Sequence, residues 1–124
     1  MVRIGFKKVV KKQSHRGNDK YYQSKDWKHK RYLVKIRDKG ICQGLLIEKG
    51  VIQLAGKYAV VDHIIPRRLK NIEAAIKPNN YDNNDFLDLK KKVRLYGHDI
   101  IENLWFVSKK YHDVKSAKEK KLYL

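Results

Sequence analysis

Residues 59–66 read AVVDHIIP, and this run constrains the fold more than any other stretch. Ala59, Val60 and Val61 suit a buried strand, yet the strand runs into an aspartate and a histidine, both costly to bury. On a regular strand, neighbouring side chains point to opposite faces, so Asp62 and His63 would diverge. They can serve one site only where the strand bends or stops. Pro66 offers no N–H to a ladder and restricts Ile65 to extended backbone, so the chain is expected to leave the sheet here.

Charge narrows the partners. The 124 residues hold 30 Lys and Arg against 13 Asp and Glu, a formal net charge of +17. Repulsion on that scale is costly for a compact domain unless a polyanion relieves it. Nucleic acid comes first, because phosphate neutralisation releases counterions and gives salt-dependent affinity. An anionic membrane surface comes second. Against it, no segment pairs a basic face with a broad apolar face at helical period, and no run of about 18 apolar residues spans a bilayer. An apolar content of 42%, with eight tyrosines and two tryptophans, excludes a disordered polycation. The size fits one domain, or one domain with an arm. The single cysteine, Cys42, leaves no internal disulfide and fits a reducing cytoplasm. The N-terminus, MVRIGFKKVVKK, has no apolar core of about 7–15 residues, so no secretory signal is expected.

Along the chain, residues 1–22 read as a basic arm whose Val2 to Val10 segment alternates like an edge strand. A domain is expected over 23–124. Ser24 is a natural N-cap for a helix over 25–38, with Asp26 in its first turn and Gly40 beyond its end. Trp27, Arg31 and Val34 share its face. The stretch from Gly40 to His63 reads as short strands and turns cut by glycines. Residues 67–98 read as an insert. A short helix is expected over RRLKNIEAAIK with Leu69, Ile72 and Ile76 on one side, then a turn at PNNYDNND, then a helix in DFLDLKKKVRLYG. The acids at 82, 85 and 88 do not match a calcium loop, which needs a central glycine and a closing glutamate. Ile100 to Val107 suit a strand. From Ser108, a second capping residue, the pattern turns helical. Tyr111, Val114, Ala117 and Lys118 face one way, with His112, Lys115 and Glu119 on the neighbouring stripe. Trp27 and Trp105 read as core and His98 as surface.

Phosphodiester hydrolysis asks for a base that takes a proton from water and a cation that stabilises charge on phosphate and leaving oxygen. Imidazole is the natural base near neutral pH, since its unperturbed pKa is about 6.5. The cation needs one or two oxygen or imidazole ligands with open positions. Asp62 and His63 supply one ligand and one base, and His112 a second ligand from a helix.

With these residues in view, AVVDHIIP followed by ENLWFVSKKYHDVKS resembles the HNH endonuclease motif of the ββα-metal nucleases. Asp62, His63, Ile64 and Pro66 stand in the first part. Asn103 and Leu104 follow, then His112 nine residues after Asn103 and Lys115 three further on. Upstream, YYQSKDWKHKRYLVKIRDKGIC is similar to the lead-in helix and turn of phage-type members. The resemblance covers about residues 21–119. It implies an α+β fold: a ββα-metal core with an N-terminal helix and a helical insert between the two core strands. It implies a divalent-metal-dependent endonuclease that cleaves DNA. His63 would be the base, and Asp62 and His112 would hold one divalent cation, Mg²⁺ or Mn²⁺ first and Zn²⁺ or Ni²⁺ next. Asn103 would orient the loop that carries the base, although in some relatives this position contacts the metal. Lys115 would sit near the phosphate or pack against the hairpin. Apart from the resemblance, Arg67 and Arg68 follow the site directly and are expected to touch phosphates rather than only solvent. The resemblance also implies a phage origin, hence a bacterial host cytoplasm, with a terminase as partner, and a monomer or weak dimer. Two rivals stand beside this reading: a non-catalytic DNA-binding module of the same fold, and a basic RNA-binding protein.

One departure from the pattern matters. Many phage-type relatives carry a structural zinc on two Cys-x-x-Cys pairs. Here the four positions are Cys42, Leu45, Ser108 and Tyr111, so no structural zinc is expected. Such an ion contributes about 10–16 kcal/mol in a small fold. Apolar packing of Leu45 and Tyr111 against Cys42 is expected to replace part of it, at about 1.5–3 kcal/mol per well-buried side chain.

Overall fold

The computed structural model describes residues 20–123. The basic arm over 1–22 lies outside them but for Lys20, Tyr21 and Tyr22, and so does its Val2 to Val10 segment. The chain divides into two compact units, Met1–Tyr32 and Leu33–Leu124. Among the described residues no helix is long and apolar enough to cross a membrane.

In the first unit, a 3-10 turn at Lys20–Gln23 leads into helix α1, Lys25–Arg37, which runs on into the second. Ser24 caps α1: its Oγ accepts the Trp27 N–H at 3.1 Å. The buried Trp27 ring takes the edge of Tyr22 at 4.6 Å, with Tyr21 at 5.9 Å. The Tyr21 hydroxyl donates to Asp26 at 2.6 Å.

The second unit is built on an antiparallel hairpin of two short strands, β1 (Val60–His63) and β2 (Leu104–Val107), in the register Val60–Val107, Val61–Phe106, Asp62–Trp105, His63–Leu104. An isolated two-stranded hairpin is marginal in water, so its stability must come from what covers it. Every residue of β2 is buried. The outer edge of β2 meets side chains rather than a third strand. The Phe106 N–H donates to Asp38 Oδ2 at 2.9 Å, and the Ser108 N–H donates to Cys42 Sγ at 3.3 Å. The Leu104 carbonyl accepts from Arg37 at 2.5 Å, and Arg37 also grips both oxygens of buried Asp38. An edge closed this way cannot recruit another strand.

Three helices complete the unit: α2 (Gln43–Lys49), α3 (Asn83–Tyr96) and α4 (Lys109–Tyr123). Helix α2 packs on β2 and α4 on β1. Helix α3 starts where Asp82 accepts the Asp85 N–H at 2.9 Å and buries Phe86, Leu89 and Val93, one face at helical spacing.

The observed elements differ from the sequence reading in three places. Residues 43–49 are helical, not a strand, and Gly50 is its C-cap at φ +67° rather than a hairpin glycine. The helix expected after Pro66 shrinks to a 3-10 turn, Ile72–Ala74. Asn71 captures the Glu73 N–H at 3.2 Å with its side chain, which competes with continuing a helix through it. Residues 101–103 form a 3-10 turn, so β2 begins at Leu104. Both stripes of α4 contribute to its packing: Tyr111 lies against Trp105, and Lys115 is only 12% exposed, whereas Val114 is 56% exposed. The insert's helical content is therefore carried by α3.

Of the four positions of the zinc pattern, Cys42, Ser108 and Tyr111 are joined by hydrogen bonds. Cys42 is fully buried against Ser108, whose Oγ also caps α4 by accepting the Tyr111 N–H at 3.1 Å. The Tyr111 ring stands edge-on to Trp105 at 5.8 Å, and its hydroxyl donates to Glu48 at 2.6 Å. It lies so close over α2 that a Cβ on Gly44 would sit 2.2 Å from it. Leu45 is half-buried. The brace is thus hydrogen bonding and the packing of the Tyr111 ring, and it involves Gly44 and Glu48, which the spacing argument did not single out.

Candidate metal and phosphodiester site

Asp62 is the centre of the site. It is 7% exposed, near the end of β1, and faces α4. Its Oδ1 lies 3.0 Å from His112 Nδ1. Its Oδ2 accepts from Trp105 Nε1 at 3.0 Å and pairs with Lys115 Nζ at 3.0 Å. Burial alone would raise this carboxyl. The His112 contact, the Lys115 ammonium and the Trp105 N–H outweigh burial and hold it below its usual range. His112, Lys115 and Glu119 recur at three and four residues along α4, so one helical stripe reaches the site.

Lys115 is a brace. Its ammonium contacts Asp62, donates to the His63 carbonyl at 2.8 Å and pairs with Glu119 at 2.5 Å. Of its two expected places, beside a phosphate or packed on the hairpin, it takes the second here. Burial pushes the Glu119 carboxyl up, more than the neighbouring ammonium lowers it.

Strand β1 ends at His63, and the chain bends at Ile64 and Ile65. Asn103 holds that bend and is fully buried. Its Oδ1 accepts the Ile65 N–H at 2.8 Å, and its Nδ2 donates to the carbonyls of Ile65 at 3.1 Å and His98 at 2.8 Å. Its own carbonyl accepts the Ile64 N–H at 2.8 Å. Both hydrogens of the amide are therefore engaged by backbone. His63 Nε2 meets Asp99 Oδ1 at 2.7 Å. His98 donates to the Leu69 carbonyl at 3.1 Å, and its partial burial pushes its pKa down. Arg67 and Arg68 are exposed in the turn that follows Pro66.

The structure thus joins Asp62, His112 and Lys115 directly and ties His63 and Asn103 to them through backbone. Trp105, Glu119 and Asp99 complete the arrangement and were not read as site residues. Glu119 had a signal, its place on the His112–Lys115 stripe. Trp105 stands opposite Asp62 only once the register is known. Asp99 had no signal in sequence.

Asp62 and His112 fit a divalent cation. Two donors held at right angles on an ion, each at about 2.1 Å, stand about 3 Å apart. That is the separation of Oδ1 and Nδ1. A carboxylate oxygen with an imidazole suits Mn²⁺, Mg²⁺ or a later first-row metal. Among the described residues no group of three His, Cys, Asp or Glu side chains is placed to hold an ion. The pair would leave most coordination positions to water and phosphate.

No protein-family model matches the chain, and no curated protein matches it in sequence. A solved structure does match: the HNH endonuclease of the deep-sea thermophilic bacteriophage GVE2, crystallised with a manganese ion. The two superpose with a TM-score of 0.54 over 88% of each chain at 24% identity. The chain has the HNH, ββα-metal fold. Its hairpin is β1–β2, its helix is α4, and α1 precedes them as the expected N-terminal helix.

Proposed function

We propose that this protein is a divalent-metal-dependent endonuclease that hydrolyses DNA phosphodiester bonds. The observation that carries the reading is the 3.0 Å approach of Asp62 Oδ1 and His112 Nδ1 across the hairpin and helix of an HNH fold. The net charge of +17 favours a polyanionic substrate. A bound cation would supply charge stabilisation at the scissile phosphate and the leaving oxygen.

The chain's own groups divide the remaining work. Asp62 and His112 would hold the ion, and Lys115 and Trp105 hold Asp62. His63, at the end of β1, takes the proton from the attacking water. Asp99 orients the His63 ring, and Asn103 fixes the bend on which that ring is mounted. Arg67 and Arg68 contact phosphates beside the scissile bond and position the strand without reading its sequence. Departure of the 3′ oxygen leaves 5′ phosphates.

The test is nicking of supercoiled plasmid with Mn²⁺ or Mg²⁺, a chelator control, and His63→Ala. Wild type should cleave only with metal. His63→Ala should lose at least about 100-fold, the usual contribution of a general base, while its DNA affinity in a mobility-shift assay is retained. Equal cleavage by both proteins would point to a contaminant and leave a DNA-binding module of the same fold.

A further inference from the structure

We propose that Trp105 makes Asp62 a one-oxygen ligand and so selects small six-coordinate ions over calcium. The inference rests on the reading of Asp62 and His112 as a cation pair. The carboxylate's two oxygens have different surroundings. Oδ2 accepts the Trp105 indole N–H at 3.0 Å and meets the Lys115 ammonium at 3.0 Å, whereas Oδ1 faces His112.

Neither partner of Oδ2 can leave easily. Trp105 is 2% exposed, pairs with Asp62 across the hairpin, and has Tyr111 against its ring. An indole nitrogen is a donor only, and swinging it from Oδ2 would strand an N–H in the core. Lys115 is tied to the His63 carbonyl and Glu119 as well.

Calcium takes six to eight oxygen ligands and often both oxygens of a carboxylate, whereas Mg²⁺ and Mn²⁺ accept one carboxylate oxygen within an octahedron. Bidentate binding here would require Oδ2 to give up its buried donors. Trp105 acts through Asp62 and is a positioning residue.

The experiment is calorimetric titration of the full chain with Mn²⁺ and with Ca²⁺. Wild type should bind Mn²⁺ at least about tenfold more tightly than Ca²⁺. Trp105→Phe keeps a ring and removes the donor. It should narrow that ratio about tenfold through tighter Ca²⁺ binding, with Mn²⁺ affinity nearly unchanged. Should the smaller ring unfold the protein, site-directed β-(3-benzothienyl)alanine at position 105 keeps the indole shape and replaces N–H with sulfur; the same narrowing is expected. Lys115→Met removes a cation and should strengthen both ions, so the ratio is the readout. An unchanged ratio in folded Trp105→Phe or in the benzothienyl variant overturns the role of Trp105 alone. Uptake of neither ion by wild type, or uptake by Asp62→Ala equal to wild type, overturns the cation pair and this proposal with it.

Discussion

Asn103→Ala tests how the bend after His63 is held. The Asn103 side chain is fully buried and makes three hydrogen bonds to backbone, two of them to Ile65, itself fully buried. Truncation leaves the Ile65 N–H without its acceptor inside the protein, at about 1–3 kcal/mol. The carbonyls of Ile65 and His98 each lose a donor, at about 0.5–1.5 kcal/mol apiece. The total is about 2–6 kcal/mol, a large share of the 5–15 kcal/mol typical of a domain. With about 4–8 °C per kcal/mol in a domain near 100 residues, the melting temperature should fall by at least about 8 °C. Asn103→Asp separates the parts. It keeps the acceptor for Ile65 N–H but sets a carboxylate against two carbonyl oxygens, so it should be no milder than alanine. Thermal melts by circular dichroism at neutral pH provide the comparison. An alanine variant that melts within about 3 °C of wild type would refute the clamp.

Two further outcomes follow from the brace around Tyr111. Gly44→Ala places a methyl 2.2 Å from the Tyr111 ring, and that ring is pinned by Trp105 and Glu48. The ordinary gain of alanine over glycine in a helix, about 1 kcal/mol, should be overturned to a net loss of about 1–3 kcal/mol. In a Tyr111→Ala background the same change should become neutral or favourable, which a double-mutant cycle in urea would show. Burial first, and the bond to Glu48 next, push the Tyr111 phenol above its ordinary value. The unfolded chain therefore releases this proton first. The contribution of the phenol is present below about pH 10 and fades as pH rises beyond it, by up to about 1.4 kcal/mol per pH unit. The stability gap between wild type and Tyr111→Phe, measured from pH 9 to 11, should shift in favour of Phe; a gap independent of pH would contradict the buried phenol.

Several elements were legible because their signals are local. Ser24, Asp82 and Ser108 stand next to the helices that need an N-terminal acceptor, and Phe86, Leu89 and Val93 recur at helical spacing. Pro66 marked where a strand beginning in AVV had to stop. Helix α2 was not legible. Gly44 and Gly50 read as breakers, but one is required by a tyrosine 67 residues away and the other is a cap. The polar stripe of α4 was visible as a pattern, yet hydrophobicity alone assigns the buried face to Val114, which is exposed. The sequence by itself determined the elements whose ends and faces are written within a few residues, and it named Asp62, His63 and His112, with Asn103 through the family resemblance, as the candidates for the chemistry. Only the tertiary structure decided that Trp105 and Lys115 share one oxygen of Asp62, that Asp99 meets His63, and that Arg37, Asp38 and Cys42 close the edge of β2. Those contacts join residues 36 to 68 positions apart. They exist only because strand register and helix packing bring single polar atoms to hydrogen-bonding distance, and no local periodicity encodes that.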